Sequence, residues 1–135
     1  MKSILLLALL LISYSCTPSF DQATYDARYQ ALVENETVAR KMDTLNEAPA
    51  EIQLAYIVQT SLPLWNKNLS LLAQMEDMTG LPKEHLTPLK MWRQYIDLRM
   101  KAGQLKIQNL RHVPPIEWDR ELEEYEVRYQ QIQPF

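Results

Sequence analysis

Apolar residues run unbroken from Ile4 to Ile12, and no later block is as long. From residue 19 onward they recur at steps of three and four, the period of a helix face. Tyr25, Tyr29, Leu32, Ala39 and Met42 share one face, with Glu36 interrupting it. Ser19 and Gln22 have the spacing of a capping box, so a first helix is predicted over about 20–46. Asn46-Glu47-Ala48-Pro49 breaks the pattern. Proline suits a first helical position and Glu51 suits a first turn, so a second helix follows and runs to about Met78. It carries two apolar stripes: Ala55, Val58, Leu62, Trp65, Leu69 and Leu72 form one, and Leu54, Ile57, Leu64, Leu71, Met75 and Met78 form the other. Lys67 is its one charge between Ile52 and Met75, which predicts a central helix with a neighbour on each stripe. Pro63 removes a backbone hydrogen bond, so a kink or break is expected near Gln59–Ser61. Gly80 ends the helix.

Thr87-Pro88 reads as N-cap and first residue of a third helix, over about 88–111. Leu89, Trp92, Ile96, Met100, Gly103, Ile107 and Leu110 form its apolar face. Ala102-Gly103 in its middle implies either a close helix approach or a break. Pro114-Pro115 separates it from a fourth helix, about 116–132, in which Trp118, Leu122, Tyr125, Tyr129 and Ile132 step by four, three, four and three. Short connections make the expected fold all-α, an antiparallel four-helix bundle. The fourth helix is shorter than the others by about 10 Å, which leaves part of the bundle open beyond its end.

The leading block differs in kind. Lys2 precedes the apolar run, and Ser13-Tyr14-Ser15 leads to Cys16, the only cysteine in the chain. The run is too short to span a bilayer and has the length of a signal-peptide core. Ser13 and Ser15 would also suit an ordinary signal peptidase, which would leave a free thiol on an exported protein. The leader resembles that of a bacterial lipoprotein, with a relaxed lipobox as in Bacteroidota: Ser13 stands where an aliphatic residue is usual, and Tyr14 is bulky. That resemblance implies a signal peptide over 1–15, lipidation (palmitate-type acylation) of Cys16, a short tether over 16–18 and a bundle domain over 19–135. Two or three acyl chains make such an anchor effectively permanent. Thr17 is not the aspartate that retains inner-membrane lipoproteins, and no acidic cluster follows Cys16, so the resemblance implies the outer membrane, facing the periplasm.

Removing the leader takes Lys2, leaving 13 basic residues against 17 acidic ones, an excess that argues against general nucleic-acid binding. With Cys16 lipidated no disulfide can form, so an apolar core must hold the fold. Two glycines in the whole chain disfavour a β-rich fold.

Candidate chemistry is sparse. His85 reads as a solvated loop residue and His112 as a cation at a helix end, and no paired-histidine spacing exists, so no metal or other cofactor is expected. No glycine-rich phosphate loop or nucleophile turn is present, no catalytic residue is assigned and an enzyme is the last of three readings. Glu36 is either a buried carboxylate that orients a ligand or, in the preferred reading, a charge at the edge of its face near an arginine of the third helix. Lys90, Arg93, Arg99, Lys101, Lys106 and Arg111 either form a patch for lipid headgroups or an acidic partner, or, as preferred, are neutralised by the first and fourth helices. Trp65, Trp92 and Trp118 fall on inner stripes, as core or as the lining of a pocket for an apolar ligand. Leu54 and Ile57, or Leu71 and Met75, are expected at the edge of an uncovered apolar patch, closed by an unidentified envelope protein or by a homodimer. The preferred function is a membrane-anchored structural or interaction protein; the runner-up is a binding module that holds an apolar ligand or a protein segment among the tryptophans.

Overall fold

The structure is a computed structural model that describes residues 19–111 and 118–132. The leader, Cys16, Thr17-Pro18, His112 and Pro114-Pro115 lie outside the described residues, as does the side chain of Trp118. Every element among the described residues is helical.

Helix α1 (Gln22–Ala39) continues as a 3-10 helix, Arg40–Leu45. Its N-cap is Asp21 rather than Ser19. The Asp21 carboxylate accepts from the Thr24 backbone N–H at 3.0 Å and from the Thr24 hydroxyl at 2.7 Å, and a carboxylate suits the positive end of a helix better than a hydroxyl does. The same bonds to Thr24, the hydroxyl's first, hold the Asp21 carboxyl below its usual range.

Helix α2 (Ala50–Tyr56), a π-helical turn (Ile57–Ser61) and α3 (Leu62–Glu76) form one continuous rod. The disruption expected from Pro63 takes this form. Pro63 has no N–H to give to Gln59, and the wider turn, closed by the Leu62 N–H on the Ile57 carbonyl five residues back, carries the helix past it. Beyond α3, Gly80 adopts φ 71° and lets the Leu81 N–H close on the Met78 carbonyl at 3.3 Å.

Helix α4 (Lys83–Leu110) starts five residues before the position that Thr87-Pro88 suggests. Pro82 supplies an extended N-cap, Glu84 suits the first turn, and Pro88 is accommodated one turn further in. His85 is therefore a half-buried helical residue rather than a solvated loop residue, with its ring centroid 4.3 Å from that of Tyr25. Helix α5 (Trp118–Ile132) is the short fourth rod.

Successive rods run antiparallel. Arg28 reaches Gln74 while Ser61 reaches Ala39; Arg93 meets Glu76 while Gly103 meets Trp65; Tyr95 meets Tyr129 while Lys101 meets Tyr125. Consequently α1 and α4 are parallel, and Tyr29 faces Trp92 as Asn46 faces Lys106. The molecule is an all-α antiparallel bundle in which the α2–α3 rod lies between α1 and α4 and the backbone of α5 approaches α4 alone. Leu32, Ile57, Trp65, Leu72, Met75, Leu89, Trp92 and Ile96 have no exposed surface.

The two predicted stripes of the central rod do not survive as such. Its buried line is Gln53, Ile57, Ser61, Trp65, Asn68, Leu72 and Met75, which draws on both stripes and includes three polar residues. Ile57 and Met75 are fully buried and cannot contribute to an exposed patch; Leu54 and Leu71 are half-buried. Polar positions enter the line because α1 offers them partners: Ser61 Oγ donates to the Ala39 carbonyl and Asn68 Nδ2 to the Leu32 carbonyl. Gly103 marks a close approach rather than a break, since a Cβ there would stand 3.1 Å from Trp65 Cζ3.

Candidate functional site: a buried carboxylate and guanidinium

The centre of the bundle is polar. Glu36 projects from the apolar face of α1 with 1% exposure, so it is not the edge charge that the sequence favours. Both of its oxygens are occupied. Trp65 Nε1–H from α3 donates to Oε2 at 2.7 Å, and the Tyr95 hydroxyl from α4 donates to Oε1 at 2.7 Å. The arginine expected nearby is Arg99, one turn along α4, whose Nε lies 3.8 Å from Oε1. That is an ionic contact and too long for a hydrogen bond.

Arg99 directs its other end at the 3-10 helix. Nη1–H donates to Asp43 Oδ1 at 3.2 Å, and Nη2 lies 3.0 Å from Asp43 Oδ2. The guanidinium carbon stands 4.4 Å from the centroid of Tyr129, on α5, and 5.0 Å from that of Trp65. Two aromatic faces therefore replace the water that a buried cation loses. Nε and Nη2 make no hydrogen bond. Asp43, with a side chain 44% exposed, is the one member of the cluster that reaches solvent.

The surroundings set the ionisation of each group. Burial raises the Glu36 carboxyl above its ordinary range; the Tyr95 hydroxyl, the Arg99 charge and the Trp65 N–H pull it down without restoring it. Burial, and then the charge of Glu36, raises the Tyr95 phenol. Burial pushes Tyr129 up to about 12 against the pull of Arg99. For Arg99 burial is the largest single influence and favours the neutral form, but Asp43 and the two tyrosines outweigh it and hold the guanidinium charged.

A polar seam flanks this centre. Asn68 accepts from Asn35 at 2.8 Å, and the Tyr56 hydroxyl donates to the Val38 carbonyl at 2.7 Å. Asn35 and Asn68, each of which opens a glycosylation-like triplet, thus bond to one another. Towards the other end, Trp92 Nε1–H donates to the Tyr29 hydroxyl at 3.1 Å. Tyr29, Trp92, Tyr95 and Tyr129 then follow in successive edge-to-face contacts with centroids 5.8–6.2 Å apart.

The arrangement joins Glu36 of α1, Trp65 of α3, Tyr95 and Arg99 of α4 and Tyr129 of α5 at one level. It fixes which turn of each rod faces which, a role for which buried polar groups are well suited. It has no open face for a substrate: Glu36 and Arg99 are each 1% exposed. Trp65 and Trp92 are fully enclosed, with their N–H groups taken by Glu36 and Tyr29, so these two tryptophans fill the core and do not line a cavity. Trp118 cannot be added to that account because its side chain is outside the described residues. Among the described residues no group of three acidic, histidine or cysteine side chains could hold a metal ion.

The basic residues of α4 are neutralised in part by the first and fourth helices, as the sequence suggests, and in part by α3. Arg93 pairs with Glu76 of α3 through two hydrogen bonds, Arg99 with Asp43 and Glu36, and Lys106 with the Asn46 side-chain oxygen. Asp43 and, from α5, Glu126 place negative charge beside Lys106. The sequence singles out Glu36 but not Tyr95, Asp43, Tyr129, Ser61 or Asn68. The available signal was polar side chains in step with core residues, Ser61 and Asn68 with Trp65 on one rod and the Tyr95 hydroxyl and Arg99 with Ala102 on another.

Comparison with known proteins returns no matching family model, no similar curated protein and no similar solved structure.

Proposed function

We propose that this chain is a small envelope lipoprotein, anchored through Cys16 to the outer membrane on its periplasmic side, with a structural or protein-interaction role. The observation that carries the reading is the apolar leader that closes at Cys16, followed only five residues later by the N-cap of α1 at Asp21. An extended chain of that length reaches about 18 Å at most, so the bundle is held against the lipid surface that carries the anchor. The filled interior supports a role played by the outer surface over a ligand-binding one. An apolar ligand among the tryptophans would have to displace Glu36 and Tyr29 from Trp65 and Trp92.

Purification from native membranes after crosslinking, followed by mass spectrometry, tests this. The expected result is an acylated N-terminal cysteine and one stoichiometric envelope protein, or a second copy of the chain. A saturable shift in tryptophan emission with apolar ligands, without such a partner, would favour the binding module instead.

A further inference from the structure

Helices α4 and α5 meet over an open hollow of about 380 Å³. Helix α4 lines it with Gln94, Asp97, Leu98 and Lys101, and α5 with Arg128, Gln131 and Ile132. Both sets step by three and four residues, so each occupies about a third of its helix's circumference and faces one way. Lys101 lies two residues beyond Arg99 and so about 160° round the helix from it, which puts the hollow on a different flank from the buried centre. Because the two helices are antiparallel, Lys101 and Arg128 mark one end of the hollow and Gln94 and Gln131 the other. Leu98 and Ile132 are half-buried and supply its apolar part; the polar and charged members are exposed.

The two cations pass over the carboxylates nearest to them in sequence. Lys101 stands four residues from Asp97 and Arg128 four residues from Glu124, the spacing at which opposite charges pair along a helix. Neither forms an ion pair with a described carboxylate. Instead Lys101 Nζ stands 5.8 Å and the Arg128 guanidinium carbon 6.0 Å from the centroid of Tyr125. One ring of α5 thus gathers two like charges from two helices at the same end of the hollow. Like charges repel, and an anion seated between them would offset that repulsion.

We infer that the hollow holds the C-terminal residue of a partner polypeptide, with the terminal carboxylate between Lys101 and Arg128 and an apolar last side chain on Leu98 and Ile132. The inference deepens the interaction role proposed above and rests on it. The Arg128 guanidinium offers a carboxylate two parallel N–H donors, and Lys101 adds a point charge. Gln94 and Gln131 each carry a donor and an acceptor for the last peptide group, and the Asp97 carboxylate accepts an N–H from the same chain. A phosphate group would leave Leu98 and Ile132 uncovered and set its second charge against Asp97. The volume lies at the small end of ligand sites, about 300–1,000 Å³, which suits one or two residues rather than a long segment. Capture of a free C-terminus is a recurring mode of polypeptide recognition.

The test uses the full-length protein, purified with its lipid and held in phosphatidylcholine nanodiscs. The probe is a fluorescein-labelled pentapeptide that ends in leucine with a free carboxylate, and its anisotropy reports binding. The expected result is saturable binding that weakens about tenfold or more when the carboxylate is amidated, or when Lys101→Gln or Arg128→Gln removes one charged hydrogen-bond donor. Arg120→Gln removes an exposed cation of α5 outside the hollow and leaves binding unchanged. Circular dichroism confirms that each variant folds. Equal binding of the free acid and the amide, or binding unchanged in both Lys101→Gln and Arg128→Gln, would overturn the inference. A peptide ending in glycine that binds as tightly as the leucine peptide would also overturn it, since the hollow would then take any anion. No binding of the free-acid peptide by protein that still yields a crosslinked partner from native membranes would overturn the inference and leave the interaction role standing. Native membranes that yield no crosslinked partner would remove the interaction role and this inference with it.

Discussion

Replacing Arg99 with methionine removes the guanidinium and keeps most of the aliphatic length. Glu36 would retain the bonds from Tyr95 and Trp65 but lose the cation 3.8 Å away. Removing one partner of a buried pair costs about 3–5 kcal/mol. Asp43, the other carboxylate, is 44% exposed and regains water, so the low end, about 3 kcal/mol, applies. The lost contacts with Trp65 and Tyr129 add about 1 kcal/mol. The deficit depends on pH, with a definite sign. Burial already holds the Glu36 carboxyl above its ordinary value of 4.5, and without Arg99 it rises further. A carboxyl raised in the folded state contributes stability that is fully present below the unfolded value and is lost as pH rises through the folded one. The variant should therefore be about 4 kcal/mol less stable than wild type at pH 7, and distinctly closer to it near pH 4.5, where the raised Glu36 carboxyl already holds its proton. Urea unfolding of residues 17–135, followed by tryptophan fluorescence at the two pH values, reads this directly. Comparing variant with wild type cancels Glu126, which burial also raises. A deficit below about 1 kcal/mol at pH 7, or one of equal size at both pH values, would refute the reasoning.

Gly103→Ala should lower the melting temperature. The helix gains about 1 kcal/mol of propensity, but the added methyl meets the Trp65 ring at 3.1 Å and overpacking costs about 1–3 kcal/mol. A raised melting temperature would show that Trp65 can move despite its bond to Glu36. Trp92→Ala should cost about 3–5 kcal/mol, since that side chain has no exposed surface; a loss under about 1 kcal/mol would contradict its burial. Cys16→Ala should leave an uncleaved precursor or a soluble product in the producing cell, and wild-type protein that enters the aqueous phase in detergent extraction would dispose of the anchor.

The fold was legible where one periodicity acted alone. Trp118 to Ile132 announced a helix because its steps alternate regularly, and Asn46 to Pro49 announced a break. Boundaries failed where two local signals competed. Asp21 displaced Ser19 because a carboxylate caps more strongly beside Thr24, and Pro82 displaced Thr87-Pro88 because helical turns ahead of Pro88 could still form. The buried centre was legible only at Glu36, as an interruption. Its meaning depended on Tyr95 and Arg99, some sixty residues away, which come to one level only when α1 and α4 lie parallel. No window of sequence contains that fact. Ser61 and Asn68 were passed over for a similar reason: a hydroxyl and an amide at core positions look like surface until the carbonyls of a neighbouring helix are set against them.

The π-turn has a consequence for the phase of the central rod. Gln53, Ile57, Ser61 and Trp65 are separated by four residues each time, then Asn68, Leu72 and Met75 follow by three, four and three. In a plain α-helix three successive steps of four would drift about 120° around the axis, and Trp65 would point away from the line begun by Gln53. One wider turn absorbs about one residue and cuts that drift to about 20°. The added residue therefore acts as a clutch between two seams: without it the apolar signal read from Ala50 onward would run out of step with the one read from Leu62. Removing a single residue between Val58 and Thr60 would leave steps of four, three, four, three, four and three, the uninterrupted rhythm of a heptad. The chain stands one residue away from an ordinary bundle helix, and it spends that residue where Pro63, Gly103 and the Glu36 centre come together.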